Sequence, residues 1–127
     1  MMTPGARAER RAERFLRRQG YRTLARNLRV GRDELDLVMR TPDGSTIVLV
    51  EVKSSVLGMI RARGALDHRK RRRVARALRG LERLGLLVDH AVRVDAILVD
   101  TSGARPMLEH LPGRTLPASN SSGQPCQ

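Results

Sequence analysis

Two stretches of the chain repeat apolar residues at the spacing of an amphipathic helix. The first covers residues 5–19, where most positions outside the apolar stripe are arginine, and Gly20 follows as a C-terminal stop signal. The second begins at Asp67, a residue type that caps helices, and continues to about Leu86. The apolar stripe of the first helix consists of Ala8, Ala12, Phe15 and Leu16.

Between and after these helices the pattern shortens to the two-residue alternation of β-strands. Strands are predicted at residues 21–30, 33–40, 46–53, 91–99 and 106–111. The segment 54–65 contains two glycines and has no clear period, so we expect a mobile loop there. In the second strand, the alternation puts Leu35, Leu37 and Met39 on one face and Glu34, Asp36 and Val38 on the other.

This order of elements predicts a mixed α/β domain with a central sheet and helices packed against it. A chain of 127 residues accommodates one such domain, which we place at residues 1–111. From Pro112 onward proline, serine, glycine and asparagine predominate, so residues 112–127 are predicted to form a disordered tail.

Composition adds a strong electrostatic signal. The net charge is +12 and the pI is near 11.6, values typical of proteins that bind nucleic acid, although an arginine-biased genome could account for part of the charge. An anionic membrane is the rival partner, but the chain has no apolar run of spanning length and no signal-peptide pattern. The only cysteine, Cys126, excludes an internal disulfide, so we expect a cytoplasmic protein.

The second and third strands are joined by a turn signal centred on Asp43-Gly44. With that dipeptide at the tip of the hairpin, the facing pairs near its open end are Asp36 with Glu51 and Glu34 with Lys53. A three-residue loop would shift the register by one residue and move the two facing carboxylates to opposite faces. The turn therefore decides whether the carboxylates meet.

Two facing carboxylates repel each other unless a positive charge lies between them. A hard divalent cation supplies that charge through oxygen ligands, and Lys53 on the same face could hold an attacking water or a phosphate oxygen. Such a centre suits the hydrolysis of a phosphodiester. The competing interpretation is a solvated strand end, in which Asp36 pairs with Lys53 or with an arginine.

The motif formed by Asp36 and Glu51-Val52-Lys53 resembles the D…(D/E)-x-K signature of restriction-endonuclease-like nucleases. A longer set of positions within residues 5–112 is similar to the bacterial YraN family of predicted endonucleases. The resemblance implies a restriction-endonuclease-like fold with a central mixed sheet flanked by helices. The similar positions are Glu9, Ala12, Phe15-Leu16, Gly20-Tyr21, Asn27, Glu34 to Leu37, Val50 to Lys53, Arg69-Lys70 and Arg93 to Asp95.

The resemblance also implies a role for each residue of the motif. Asp36 and Glu51 would bind Mg²⁺ or Mn²⁺, with the carbonyl of Val52 as a third ligand. Lys53 would orient the nucleophilic water and stabilise charge on the phosphate. These roles follow from the resemblance and not from the spacing of the residues.

Two further acids match family positions. Glu9 would help to build the metal site from the first helix, and helical spacing puts it nearer the apolar stripe than Glu13, although it could also be an ordinary surface acid. Glu34 would position Lys53 or support the ligands indirectly. The implied catalytic set is Glu9, Glu34, Asp36, Glu51 and Lys53.

The second helix begins with a run of basic residues. Lys70 lies in its first turn, where the helix dipole disfavours a cation unless a phosphate is bound. The run is either a surface that binds DNA or a solvated helix face, and its members are Arg69, Lys70, Arg71, Arg72 and Arg73. Two positions depart from the family: Asp33 replaces a glycine, and Ser55 replaces a basic residue that could contact phosphate.

Together these features predict a Mg²⁺- or Mn²⁺-dependent endonuclease acting on DNA, and an analogy with junction resolvases favours branched or structured DNA. One domain with one site cuts one strand, so symmetrical cleavage would need a homodimer. A non-catalytic nucleic-acid-binding module and a basic protein that assembles on ribosomes or RNA remain alternatives. His68, His90 and His110 lack the spacing of a metal pair and are interpreted as structural or surface residues.

Overall fold

The computed structural model describes residues 2–64, 68–85, 87 and 89–117, with the backbone alone described at 63–64 and 68–74. It confirms the predicted class, because helices flank a central mixed sheet in an arrangement compatible with a restriction-endonuclease-like fold. The elements are α1 (Pro4–Arg18), β1 (Arg22–Val30), β2 (Asp33–Arg40), β3 (Thr46–Ser55), α2 (Met59–Gly64), α3 (His68–Arg83), β4 (Ala91–Asp100), β5 (Met107–Leu111) and β6 (Thr115–Leu116).

The main strands lie in the order β1-β2-β3-β4-β5, and β6 pairs with β4. Neighbouring strands are antiparallel except β3 and β4, which are parallel. A parallel pair requires a long crossover connection, and α2 and α3 lie within it. The helices α1 and α3 cover opposite faces of the sheet, so the core has two halves.

The central strand β3 contributes to both halves of the core. Val48 and Val50 pack beneath α1 with Leu16, whereas Ile47 and Leu49 pack beneath α3. Successive side chains of a strand point to opposite faces, so a strand covered on both sides is apolar at every position. Because β3 is packed on both faces, its position in the sheet is well determined. Glu51 and Lys53, which follow its apolar run, are therefore held in defined positions.

The hairpin between β2 and β3 has the register predicted from its turn. The ladder pairs Leu37 with Val50 and continues to Arg40 opposite Ile47. At the tip, Oδ1 of Asp43 accepts hydrogen bonds from neighbouring hydroxyl and backbone N–H groups, with distances of 2.7 to 3.0 Å. These hydrogen bonds lower the pKa of Asp43 to about 2, so the turn keeps its anionic acceptor at neutral pH.

The side chains of β2 do not alternate between the two faces of the sheet in the predicted way, because the alternation breaks at Asp36. Leu35 packs in the half of the core beneath α3, whereas Leu37 packs beneath α1, so these two residues do not share a face. Val38 packs beneath α3, whereas Asp36 lines the pocket beside α1, so the prediction that these two residues share a face is wrong. Across the ladder, Asn27 of β1 has a φ of 49°, a left-handed conformation that asparagine tolerates, and marks the same irregularity.

Two of the predicted irregular segments contain regular structure. In the segment predicted as a mobile loop, β3 continues to Ser55 because it pairs with the end of β4, and α2 occupies residues 59–64. Within the segment predicted as a tail, Thr115–Leu116 form β6, which pairs with Val92 and Arg93. Residues 118–127 lie outside the described residues.

Candidate functional site

A polar pocket of about 530 Å³ lies where the amino-terminal half of α1 crosses the open end of the β2–β3 hairpin. The three strands that meet there supply acids and bases, and α1 supplies a further acid. Its lining comprises Gly5, Ala8, Glu9, Arg29, Arg32, Glu34, Asp36, Glu51, Val52, Lys53 and Ser54. The pocket therefore brings together all five residues of the implied catalytic set and the implied backbone ligand.

Asp36 is positioned by the irregularity in β2. The regular ladder with β3 reaches Leu37 opposite Val50, and one residue farther the carboxylate Oδ2 of Asp36 accepts a hydrogen bond of 2.8 Å from the backbone N–H of Val52. A side-chain oxygen thus takes the place of a backbone carbonyl and satisfies that N–H. The hydrogen bond fixes the carboxylate of Asp36 against the strand that carries Glu51 and Lys53.

Crowding of the acids shows in the protonation of Glu9. The pKa of this carboxyl group is raised to about 7, first by burial and then by the charge of Asp36 and a hydrogen bond with it. The charges of Glu34 and Glu51 act in the same direction. The neighbouring carboxylates are close enough to share a proton, which is the behaviour of like charges forced together.

Asn27, a position that matches the family but had no predicted role, also belongs to this site. With its amide nitrogen turned toward the acids, it donates hydrogen bonds to Oε2 of Glu9 at 3.1 Å and to Oε1 of Glu34 at 3.2 Å. Because a carboxylate accepts hydrogen bonds and an amide offers two N–H donors, one asparagine can bridge two acids. Asn27 is also distinguished by its left-handed backbone conformation. Neither this conformation nor its contacts with the two acids can be predicted from the pattern of the sequence.

Three cations accompany the acids in the pocket. Lys53 was predicted there, whereas Arg29 and Arg32 were not. The sequence gives little reason to select these two arginines, because the chain contains many. Their one distinguishing feature is that they lie on either side of the turn at Gly31. Together they give an anionic ligand three positive charges beside the carboxylates.

The oxygen atoms available in the pocket suit a hard divalent cation that takes only a few of its ligands from the protein. Among the described residues, no group of three or more His, Cys, Asp or Glu side chains is arranged to hold a metal ion. The centre implied by the sequence needs fewer, namely the carboxylates of Asp36 and Glu51 and the carbonyl of Val52. Magnesium commonly binds one or two carboxylates and keeps several waters, so this smaller oxygen set fits it.

The two positions that depart from the family pattern have structural roles in this chain. Asp33 is 7% exposed and binds Nη2 of Arg76 at 3.0 Å and Nε at 3.2 Å, which ties α3 to the start of β2. The hydroxyl of Ser55 accepts a hydrogen bond of 3.0 Å from the backbone N–H of Leu57, at the end of β3. Neither residue lines the pocket.

The basic run at the start of α3 cannot be located as a surface, because the side chains of Arg69, Lys70, Arg71, Arg72 and Arg73 lie outside the described residues. Of the three histidines predicted to be structural or surface residues, His110 has well-defined contacts. His110, on β5, packs beside Tyr21 and hydrogen-bonds Asp95 at 2.6 Å, which is a structural role.

Asp95 is the centre of a second polar network, beneath the carboxy-terminal end of α1 and outside the pocket. It is 1% exposed, and both of its oxygens accept hydrogen bonds of 2.8 Å from Arg93. The N–H of Gly113 donates to it at 3.1 Å, and Arg93 also donates to the hydroxyl of Tyr21 at 2.8 Å. Burial by itself raises the pKa of Asp95, but the hydrogen bonds from Arg93, His110 and Gly113 outweigh it and lower the pKa.

Comparison with known proteins supports the resemblance. The family model described as "Uncharacterised protein family UPF0102", which is the YraN family, matches residues 8–99. A UPF0102 protein of Nitratidesulfovibrio vulgaris (strain DP4) is 39% identical over 127 residues, covering 95% of this chain and 93% of the relative. A UPF0102 protein of Geobacter metallireducens is 35% identical over 109 residues, covering 85% and 88%. No helix of the described residues is long and apolar enough to cross a membrane.

Proposed function

The chain belongs to the uncharacterised protein family UPF0102, and from this premise we propose that it is a metal-dependent endonuclease that hydrolyses phosphodiester bonds of DNA. The observation that carries the proposal is the convergence of Glu9, Asp36 and Glu51 beside Lys53 in one polar pocket. Crowded carboxylates repel one another, so a divalent cation bound among them would relieve that repulsion. A phosphate could then bind between the cation and the basic side chains of the same pocket.

The implied cofactor is Mg²⁺ or Mn²⁺, held by the carboxylates of Asp36 and Glu51 and by the carbonyl of Val52. When bound, such an ion neutralises charge on the phosphate and makes a bound water more acidic. The hydrogen bond from the N–H of Val52 holds the carboxylate of Asp36 beside the strand that carries Glu51, where the two would bind the ion together. Glu9 and Glu34, bridged by Asn27, hold the acidic wall of the pocket in shape.

Lys53 acts on the other side of the reaction. Its ammonium group can donate to a non-bridging phosphate oxygen or to the attacking water, and so stabilise negative charge as it develops. The water oxygen forms a new bond to phosphorus and loses a proton to the solvent, while the bond to the leaving oxygen breaks and that oxygen takes up a proton from the solvent to become a hydroxyl group. Arg29 and Arg32 hold the phosphate without taking part in this transfer.

The decisive experiment measures cleavage of labelled duplex, single-stranded, flap and four-way-junction DNA in Mg²⁺, Mn²⁺ or EDTA. We expect the wild type to cut at least one substrate only with metal, and Asp36→Asn and Lys53→Ala to cut about 10² to 10³ times more slowly while still binding. Glu82→Gln, which alters an exposed acid on α3, serves as the matched control and should cut like the wild type.

Two outcomes would overturn this function. If Asp36→Asn cuts as fast as the wild type, the activity does not come from this pocket. If the wild type binds DNA and cuts nothing with either metal, the chain is a non-catalytic binding module, an alternative favoured by the absence of a three-acid metal cage among the described residues. A metal-independent preference for RNA would instead indicate the RNA-assembly alternative. Symmetrical cleavage of a junction would require two copies of the chain if each copy supplies the single carboxylate pocket identified among its described residues.

A further inference from the structure

The second groove of interest follows the same seam between α1 and β1, beyond the carboxylate pocket. It has a volume of about 630 Å³, and its lining is Arg10, Glu13, Arg14, Arg17, Arg18 and Arg26. Five of these six residues are arginines, and all five arginines are exposed. We call it the arginine groove.

The single acid of the groove is already bound. Glu13 is 7% exposed, accepts a hydrogen bond of 2.6 Å from the hydroxyl of Thr23, and forms a salt bridge of 2.8 Å with Arg26. Burial by itself raises the pKa of Glu13, but its hydrogen bonds to Arg26 and Thr23 outweigh this and lower the pKa. Glu13 therefore holds Arg26 at the wall of the groove and also attracts Arg17, but one acid among five arginines leaves the groove with a net positive charge.

Folding alone does not account for this concentration of charge. The helix dipole favours Arg17 and Arg18 in the last turn of α1, but it gives no advantage to Arg10 and Arg14 in the middle of the helix. Like charges three or four residues apart on a helix destabilise it. The sequence therefore accepts a cost in α1 that an external anion would offset.

The spacing of the groove suits a chain of phosphates. With a rise of about 1.5 Å per residue, Arg10 and Arg18 are separated by about 12 Å along the helix axis. Along the axis of duplex DNA each strand carries one phosphate per about 3.4 Å, so a row of this length lying along the axis corresponds to about three to four axial steps of one strand. A single small anion would use only part of such a row.

The arginine groove and the carboxylate pocket are lined by the same two elements, α1 and β1. The amino-terminal half of α1, with Gly5 and Glu9, lines the pocket, and the half that carries Arg14 and Arg17 lines the groove. In the same way β1 provides Arg29 to the pocket and Arg26 to the groove. A strand lying along the seam would pass from one to the other.

We propose that the arginine groove binds the sugar–phosphate backbone of the DNA strand that enters the carboxylate pocket, and so sets the path of the substrate across the protein. This inference rests on the proposed function and assigns the substrate contact to a different surface from the basic run at the start of α3. The contacts are to phosphates, so they position the strand without reading its sequence.

The test compares two triple variants of the full chain that remove the same charge. The groove variant is Arg10→Gln, Arg14→Gln and Arg17→Gln. The control variant is Arg79→Gln, Arg83→Gln and Arg105→Gln, three exposed positions that line neither the pocket nor the groove. Fluorescence anisotropy of labelled duplex and single-stranded DNA in EDTA, over a series of NaCl concentrations, gives Kd and its salt dependence without cleavage.

We expect the groove variant to bind about tenfold or more weakly, and the slope of log K against log salt to fall by about 3, about one for each lost phosphate contact. The control variant should keep most of the affinity. A lysine version of the groove variant should restore binding, because phosphate contacts need charge more than the guanidinium shape. Unchanged circular dichroism would show that the glutamine variant is folded.

Equal losses in the two triple variants would overturn the inference, because binding would then follow the net charge alone. So would a groove variant that loses binding to phosphatidylserine vesicles and keeps binding to DNA. Cleavage by the wild type in Mg²⁺ is measured separately: if DNA binding depends on the groove but nothing is cut, the proposed function fails and the groove stands. If cleavage occurs and the groove variant binds DNA normally, the inference about the groove fails and the proposed function stands.

Discussion

Asp95→Asn should strongly destabilise the protein even though Asp95 lies outside the proposed active site. The side chain is fully buried, and it compensates Arg93, whose side chain is only 17% exposed. Asparagine keeps the shape but removes the charge, and its amide nitrogen would face the guanidinium and the ring nitrogen of His110. Removing one partner of a buried ion pair costs about 3 to 5 kcal/mol, which is a large part of the stability of a small domain.

Urea denaturation followed by circular dichroism at pH 7 measures this cost. Glu82→Gln is again the control, since substitutions of exposed side chains usually change the free energy of unfolding by less than about 0.5 kcal/mol. The double variant Asp95→Asn with Arg93→Met should be less destabilised than the sum of the single variants, because each removes the charge that the other leaves unpaired. A loss below about 1 kcal/mol for Asp95→Asn would refute the argument.

The same network predicts how stability changes with pH. Because the pKa of Asp95 is lower in the folded chain than its ordinary value of about 3.9, its contribution is complete above that value and is lost as the pH falls through the folded pKa. The wild type should therefore lose stability more steeply below about pH 4 than Asp95→Asn does. Parallel stability curves for the two proteins in that range would contradict this account.

Three further predictions concern the metal, the α3 anchor and the carboxy-terminal segment. Mg²⁺ at a hundred times its Kd should stabilise the wild type by about 2.7 kcal/mol in thermal unfolding and Asp36→Asn far less, and equal stabilisation would argue against this site. Asp33→Ala should lower the midpoint of urea denaturation because it removes the two hydrogen bonds that tie Arg76 of α3 to β2, and an unchanged midpoint would contradict the anchor. Gly113→Ala should lower the Tm while Gly103→Ala does not, because only the first added methyl group meets the backbone of β4, and equal Tm values would count against it.

The sequence predicted the hairpin register correctly because the information is local. The Asp43-Gly44 turn and the two-residue period of the strands determine which residues face each other. The predicted facing pairs Asp36–Glu51 and Glu34–Lys53 lie beyond the end of the ladder, and these residues meet as lining of one pocket instead. The family resemblance added Glu9, whose position depends on how α1 crosses the sheet and therefore on contacts distant in sequence.

The parts that the sequence did not predict depend on tertiary contacts. The break in alternation at Asp36 arises because its carboxylate binds the N–H of Val52, a competition that no pattern within β2 records. Asn27 looks like an ordinary strand residue until the fold brings two acids to its amide. Order in residues 112–117 depends on β4 and on the hydrogen bond from Gly113 to Asp95, although their composition is typical of a tail.

The position of β1 at one edge of the sheet gives its arginines a second consequence. An edge strand offers unpaired backbone groups to any other strand that approaches, and this is how sheet proteins aggregate. Here the outer strand carries Arg22, Arg26 and Arg29, so two such edges repel each other before they can pair. Colloidal stability of the purified chain should therefore decline as salt screens that repulsion, and a polyanion that neutralises the edge would expose the same hazard.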